Sequence, residues 1–567
     1  MEGGQTVKPP APRPPRPPRP TAADRRYRLT HRALPLVAIA LVSLLTGVVV
    51  GALHVPAERS LADHFARAWQ RGDYAAMYRG ISSDAQQRYS LDRFRAAYAE
   101  SATTATLIGI KAGHARDPAN GEVAVPMRVR TRVFGVIPAT LKLPFSGSGG
   151  SAKVDWSPRL TYPGLAQGEQ LGRQTQLPDR GTILASDGTV LAKGADRASD
   201  NSAVSSQIVG ELGPIPPDQL DRLRALGVPD DATVGISGLE KALQPQLIGK
   251  PGGTLSAGRR VLARSAPRQA SPTRSTINPK LEAAAINALG GQDGGLAVLR
   301  PDTGAVLALA GVAYSAVGPP GSTFKIITTT AALEAHAVKL SDQFPIETGA
   351  ILSGVKLSNA SGESCGGTFV NAFAVSCNGV FAPLGVKVGK ERLVATAEKY
   401  GYNEQPLIDG AVTSTIPPPS GIGDDLDLGS TAIGQGKVQA SALQMTSIAA
   451  TVGNRGVRVR PHLLATARPE RVRVTSRHTA ATLRHLMVAV VKFGTGVNAQ
   501  IGGVTVAGKT GTAELGNNIP TDAWFVSFAP ARHPRIAAGA VILGGGAGGD
   551  AAAPVVRQVL VTALGKG

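Results

Sequence analysis

Between Ala33 and Leu53 the chain runs for about 21 residues without a charged side chain. At 1.5 Å rise per residue, a helix of that length crosses the roughly 30 Å hydrocarbon core of a bilayer. Arg25, Arg26, Arg28 and Arg32 crowd its N-terminal side, whereas Glu58, Arg59 and Asp63 follow it. That imbalance places the N-terminus in the cytoplasm and everything after Val55 outside. No clear small-x-small cleavage pattern follows the stretch. Residues 33–54 are therefore expected to be an uncleaved, single-pass anchor in the cell membrane. The preceding residues 1–32, with their Pro-Pro-Arg repeats, can build neither helix nor sheet. They are expected to form an extended or disordered cytoplasmic tail.

The exported remainder is too long for one ordinary domain, and two to four units are expected from 567 residues. A formal net charge of +20 first suggests nucleic acid. Part of that excess sits in the tail, however, and the rest is scattered without interleaved aromatics, so no nucleic-acid partner is expected. A basic exterior suits a protein living among anionic lipids and polymers. Aromatics make up only 4% of residues, so the cores must rest on Ala, Val, Leu and Ile. Nine histidines show no paired ligand spacing, and no metal site is expected. Cys365 and Cys377 are close enough to form one local disulfide outside the cytoplasm. Two separate thiols fit the sequence equally well.

Residues 57–105 read as two amphipathic helices about a turn at Arg71-Gly72-Asp73, with Leu61, Phe65, Ala68 and Trp69 on one face. From about 106 to 145 the pattern alternates as strands do, which makes residues 55–160 a small α+β module. Residues 161–272 are rich in Gly, Pro and turns, and a β-rich unit is expected there. From 273 to 567 the texture is compact α/β. Strands are expected at Leu296–Leu299, Ala305–Ala310, Val504–Ala507, Ala523–Phe528 and Ile536–Leu543, before a final helix near Val555–Leu564.

Three short motifs in this last stretch carry chemistry. Ser322-Thr-Phe-Lys325 follows Gly318-Pro-Pro-Gly321 and opens an apolar helical run. Positions i and i+3 of a helix share a face, so Lys325 can reach the Ser322 hydroxyl. Lysine loses its proton readily when buried near other cations, and a neutral amine can then activate a serine. Ser353-Gly-Val-Lys356 has the same spacing but lies in a Gly/Ser-rich loop without that helical frame. The second motif, Ser376-Cys377-Asn378, follows the apolar segment 369–375. Ser376 is placed to relay a proton, and Asn378 to orient a peptide group. An earlier Ser199-Asp200-Asn201 precedes the nucleophile and belongs to another unit. The third motif, Lys509-Thr510-Gly511-Thr512, reads as part of a strand. Lys509, Thr510 and Thr512 offer a cation and hydroxyls to a carboxylate, and Gly511 leaves room for a backbone at the strand edge. Each motif alone has an ordinary reading as a helix cap, a loop or a turn.

Together, and in this order, the three resemble the signature of penicillin-binding proteins. Ala432-Ile-Gly434-Gln435-Gly436, Gly494-Thr-Gly496 and Asp522-Ala-Trp524-Phe525 add to the likeness. Arg180-Gly-Thr-Ile and Gly235-Ile-Ser-Gly238-Leu-Glu240 resemble segments of the pedestal, or dimerisation, domain of the class B members. The module at 55–160 resembles the nuclear-transport-factor-2-like domain of methicillin-resistance-type transpeptidases. The resemblance implies a serine D,D-transpeptidase with a β-lactamase-like catalytic domain. In such an enzyme Ser322 attacks peptidoglycan stem peptides, β-lactams acylate the same serine, and no cofactor is required. The backbone N–H groups of Ser322 and Thr512 would form the oxyanion hole. A glycan-polymerising protein of a shape or division complex is the implied partner. A D,D-carboxypeptidase and a β-lactam-binding sensor or scaffold are the alternatives. No Glu-x-x-Leu-Asn lies between the second and third motifs to suggest a β-lactamase, and about a hundred residues before the pedestal are too few for a glycosyltransferase domain.

Overall fold

The computed structural model describes residues 34–53, 55–516 and 519–566, together with Arg26 and Thr30. Apart from those two positions, the expected tail at 1–32 lies outside the described residues. Leu34–Leu53 is one 20-residue helix. Its apolar side chains that are described, such as Leu36, Ile39 and Leu44, are more than half exposed. Among the described residues, no helix is long and apolar enough to cross a membrane. The anchor therefore rests on the sequence.

The chain divides into two compact units. One holds the described residues up to Gly172 together with Ser256–Leu262; the other holds Arg173–Leu255 together with the described residues from Ala263 onward.

In the first unit the expected helix Ala57–Arg71 forms and ends at Gly72, whose φ of 72° is left-handed. It buries Phe65, Ala68 and Trp69 on one face. The expected second helix is instead three: Tyr74–Arg79, Ser83–Arg88 and Leu91–Ala105. Each restarts at a side-chain cap, where Asp73, Ser82 and Ser90 accept from the N–H groups of Ala76, Ala85 and Arg93. Such short polar side chains capture the free donors of a new first turn, a local effect that apolar periodicity does not register. The strands β1 (Leu107–Ala112), β2 (Glu122–Thr131), β3 (Gly135–Ser146) and β4 (Lys153–Val154) form an antiparallel sheet in sequence order. Along β2, Val123, Val125, Met127 and Val129 are buried while Arg128 and Arg130 face outward. The core centres on Trp69, Phe94, Tyr98 and Trp156, with Phe94 and Trp156 4.8 Å apart.

Residues 173–272 are not predominantly β. Short strands alternate with the helices Ser202–Ile208, Leu220–Leu226, Gly238–Ala242 and Gln244–Leu247. These pieces are too short to show a period in the sequence. Glu240, fully buried, unites the two segments that stand out there. Its side chain pairs with Arg180 and Arg197, and Arg180 also donates to the Glu240 carbonyl (2.9 Å) and to Gln244 Oε1 (2.6 Å). A Cβ at Gly235 would lie 2.2 Å from the Glu240 carbonyl carbon, so only glycine admits this cluster.

The rest of the second unit is built on five antiparallel strands drawn from both ends of its sequence. β5 (Gly294–Leu299) and β6 (Val306–Gly311) come early; β7 (Ala507–Ala513), β8 (Asp522–Ala529) and β9 (Ile536–Ile542) come late. Their order is β6-β5-β9-β8-β7, which leaves β7 at an edge. Helices Pro279–Leu289 and Ala552–Leu564 share one apolar cluster with the sheet. Helices Lys325–Glu334 and Ala442–Gly453 belong to the other. Of the strand expected at Val504–Ala507, only Ala507 joins the sheet. Val504 pairs back onto Ile501 around Gly503, and the ladder begins only at Ala507, opposite Phe528. The whole Lys-Thr-Gly-Thr motif consequently lies inside β7.

Candidate active site

Ser322 lies in a tight turn, Gly321–Phe324, that runs directly into helix Lys325–Glu334. Gly321 makes that turn: its φ is 52°, its N–H donates to Gly434 O (2.9 Å), and a Cβ there would meet Thr512 O at 2.5 Å. Gly511, on β7, answers it from the other side, since its Cβ would lie 2.7 Å from Pro320 O. The sequence assigned Gly511 to the approach of a substrate backbone. In the structure, the nucleophile turn is what crowds it. Ser322 is half-buried, and its hydroxyl has no hydrogen-bond partner among the described residues.

Behind the serines stand two lysines, both fully buried. Lys325 Nζ donates to Ser376 O and to Asn378 Oδ1, each at 2.7 Å, and lies 3.3 Å from Ser376 Oγ. Lys509 Nζ donates to the same Ser376 Oγ at 2.9 Å and to Thr510 O at 3.0 Å. The Phe381 and Phe373 rings back the two ammonium groups at 5.4 and 5.6 Å. Burial drives the Lys325 amine well below the ordinary lysine range, and the neighbouring Lys509 charge adds to the shift. Burial also brings Lys509 down to about 7.

The second motif sits on a sharp bend between helices Phe369–Ala374 and Asn378–Val388, where Ser376 takes a left-handed φ of 62°. Cys377 is bonded to Cys365 as a disulfide. Asn378 Nδ2 donates to Ser358 O (2.9 Å). Asn359, buried beside the bend, accepts from the Gly379 N–H (2.8 Å) and donates to Glu347 O (2.7 Å) and Glu363 O (2.8 Å).

On β7, Lys509 and Gly511 face one way and Thr510 and Thr512 the other, as strand alternation requires. Thr512 is half-buried, whereas Thr510 is buried with its hydroxyl against that of Thr495. Sequence reasoning marked the Gly494-Thr-Gly496 segment but not Thr495 as a site residue. It missed Asn359, Phe373 and Phe381 entirely. A threonine between glycines was the available signal for Thr495; nothing local marked the other three.

The two look-alike motifs stand elsewhere. Ser353 turns a surface hairpin with a φ of 49°, and Lys356 donates to Thr348 Oγ1 (2.8 Å). Ser199 donates to Val190 O (3.0 Å), while Asn201 caps helix Ser202–Ile208. Among the described residues, no group of three or more His, Cys, Asp or Glu side chains could hold a metal.

Three family models match the chain: the penicillin binding protein transpeptidase domain over residues 294–561, the NTF2-like N-terminal transpeptidase domain over 57–169, and the penicillin-binding protein dimerisation domain over 193–261. The chain is 33% identical over 358 residues to the peptidoglycan D,D-transpeptidase PbpA of Mycobacterium tuberculosis H37Rv, covering 51% of this chain and 72% of that one. Its identity to PbpA of Mycolicibacterium smegmatis is 38% over 287 residues, 45% of this chain and 57% of the relative. It therefore spans little more than half the length of the latter. The structure of penicillin-binding protein A from M. tuberculosis as a ceftriaxone acyl-enzyme complex aligns with a TM-score of 0.56 at 28% identity, covering 68% of this chain and 98% of that one.

Proposed function

Because the chain belongs to the family of penicillin-binding peptidoglycan D,D-transpeptidases, we propose that Ser322 is the nucleophile of a serine acyl-transfer reaction on D-Ala-D-Ala stem peptides. The observation that carries this reading is the Ser376 hydroxyl held between two buried lysines, of which Lys325 follows Ser322 by one turn in the sequence. A neutral Lys325 has two N–H bonds, which its 2.7 Å contacts to Ser376 O and Asn378 Oδ1 consume. Its lone pair remains to take the Ser322 proton as the serine oxygen attacks the penultimate D-Ala carbonyl.

The backbone N–H groups of Ser322 and Thr512 receive the oxyanion. When the tetrahedral intermediate collapses, the C–N bond breaks and the leaving D-Ala amine takes a proton through Ser376. Asn378 orients the stem's peptide group. Lys509, Thr510 and Thr512 hold the terminal carboxylate, a charge-assisted interaction that weakens as Lys509 loses its proton. An amine from a second stem then attacks the ester, releases Ser322 and completes the cross-link. A β-lactam acylates Ser322 in the same way and leaves it esterified.

The protein works outside the cytoplasm, tethered by residues 33–54 with its N-terminus inside. The charge-free stretch and the arginines before it support this placement. A single-pass anchor also suits work beside a membrane-embedded, glycan-polymerising protein of a shape or division complex.

Labelling with a fluorescent penicillin and mapping the modified peptide tests the proposal. Adduct on Ser322 is expected, and none in Ser322→Ala. Properly folded protein with no adduct at that residue overturns it. Supplying an amine acceptor separates cross-linking from D,D-carboxypeptidase action, in which water takes the acyl group.

A further inference from the structure

At the end of the catalytic sheet where β5 turns into β6 and β8 into β9, four separate segments line an open hollow of about 480 Å³ whose arginines are all solvent-exposed. Arg455 enters it from the turn after helix Ala442–Gly453, and Arg473 from a short strand. Arg477 opens helix Arg477–Phe493, and Arg532 and Arg535 come from the β8–β9 turn. His533 adds a further ring, and Asp302 is the one carboxylate in the wall.

Several arginines elsewhere in the fold are matched to carboxylates. Arg180 and Arg197 face Glu240, Arg458 and Arg460 face Glu404, and Arg224 faces Asp230. In the cavity, Asp302 is turned towards Arg300, 3.8 Å away. The guanidinium groups of Arg455, Arg477, Arg532 and Arg535 have no hydrogen-bond or ion-pair partner among the described residues. Arg473 donates to two backbone carbonyls, Arg455 O (2.6 Å) and Thr475 O (3.3 Å), which fix its position without neutralising it. Arg477 stands in the first turn of its helix, where a cation opposes the helix dipole; the dipole itself is met by the Glu334 carboxylate, which accepts from the Ser476 N–H (3.1 Å) and the Thr475 hydroxyl. Gathering five like charges around one hollow is unfavourable for folding alone. Concave walls concentrate their field, and planar guanidinium forks match the oxygens of phosphoryl groups.

We propose that this cavity binds at least two phosphoryl groups at once, borne on one polyanion or on adjacent anionic headgroups, away from the serine site. The shared chemistry is the phosphodiester or phosphomonoester oxygen, carried either by a soluble extracellular polymer or by an anionic lipid headgroup.

The test uses the full-length protein in neutral detergent, with fluorescently labelled inorganic polyphosphate at low salt. A saturable complex is expected, weakened at least tenfold by Arg532→Glu with Arg535→Glu and unchanged by Arg392→Glu, an exposed arginine outside the cavity wall. Penicillin acylation at Ser322 should stay at the wild-type rate in all three proteins, which separates loss of the cavity from loss of the fold. In a second arm the protein is reconstituted with phosphatidylglycerol or phosphatidylcholine vesicles. If the double variant loses only the preference for the anionic vesicle, the headgroup is the source; if it loses only polyphosphate, the soluble polymer is. Binding of both probes unaltered by the double variant overturns the proposal. So does binding of poly-glutamate as tight as that of polyphosphate, which would mark the cavity as a contact for acidic protein instead.

Discussion

The amines of Lys325 and Lys509 meet at one oxygen, the Ser376 hydroxyl, at 3.3 and 2.9 Å. Two cations brought to one point inside protein cannot both keep their protons easily, and burial acts on each in the same direction. The arrangement separates a base from an acid, and it makes the site sensitive to pH.

Acylation by penicillin should follow a bell-shaped pH profile. On the acid side the rate falls as Lys325 takes up a proton and loses its lone pair. On the alkaline side it falls from about pH 7, where Lys509 gives up the charge that attracts a carboxylate. Stopped-flow acylation across pH 5–9 checks this. A flat alkaline limb would remove Lys509 from carboxylate binding.

Lys509 also ties stability to pH. Its folded-state pKa of about 7 lies below the unfolded value, so between about pH 7 and 10 the unfolded chain binds the extra proton and stability rises with pH. Lys509→Met should make that rise shallower, leaving the part contributed by the buried Lys325. It should also stabilise the protein by about 1–2 kcal/mol at pH 7, after subtraction of the bonds lost to Ser376 and Thr510. Acylation should drop sharply in the same variant. Chemical denaturation at several pH values gives the first readout and labelling gives the second.

Glu282 should show the opposite slope. Fully buried, it accepts the Leu309 N–H at 2.8 Å through one oxygen while the other has no partner, and desolvation raises its carboxyl to about 7. Between its unfolded pKa and about 7 the folded state holds the extra proton, so stability declines as pH rises. Glu282→Gln should flatten that decline and stabilise the protein by about 2 kcal/mol at pH 8, leaving acylation unchanged. Melting curves at pH 5 and 8 decide it.

Replacing the disulfide by Cys365→Ser with Cys377→Ser should cost about 3 kcal/mol, as expected for a loop of this length. The bend carrying Ser376 and Asn378 loses its tether, so penicillin acylation should slow as well. A variant that melts earlier but acylates at the wild-type rate would confine the disulfide to a structural role.

Gly321→Ala places a Cβ at 2.5 Å from Thr512 O on a residue with left-handed φ. Acylation should fall at least tenfold, with a loss of about 1–3 kcal/mol in stability. Kinetics and denaturation on one preparation measure both.

Much of this was written locally. The charge-free run after Arg32, the alternation of β2 and the strands that frame the sheet are periodicities within a few residues. So is the one-turn spacing of Ser322 and Lys325, and such patterns follow from backbone geometry alone. The caps at Asp73, Ser82 and Ser90 were equally local, but apolar spacing does not express them. What folding alone decided involves partners far apart in the chain. Lys325 meets Ser376 across 51 residues and Lys509 meets it across 133. The bond between Cys365 and Cys377, left open by the sequence, was likewise settled by the packed bend. Asn359, Thr495, Phe373 and Phe381 acquire their places only there. Burial, and with it the protonation state of each lysine, belongs to the packed assembly of segments and has no counterpart in the order of residues.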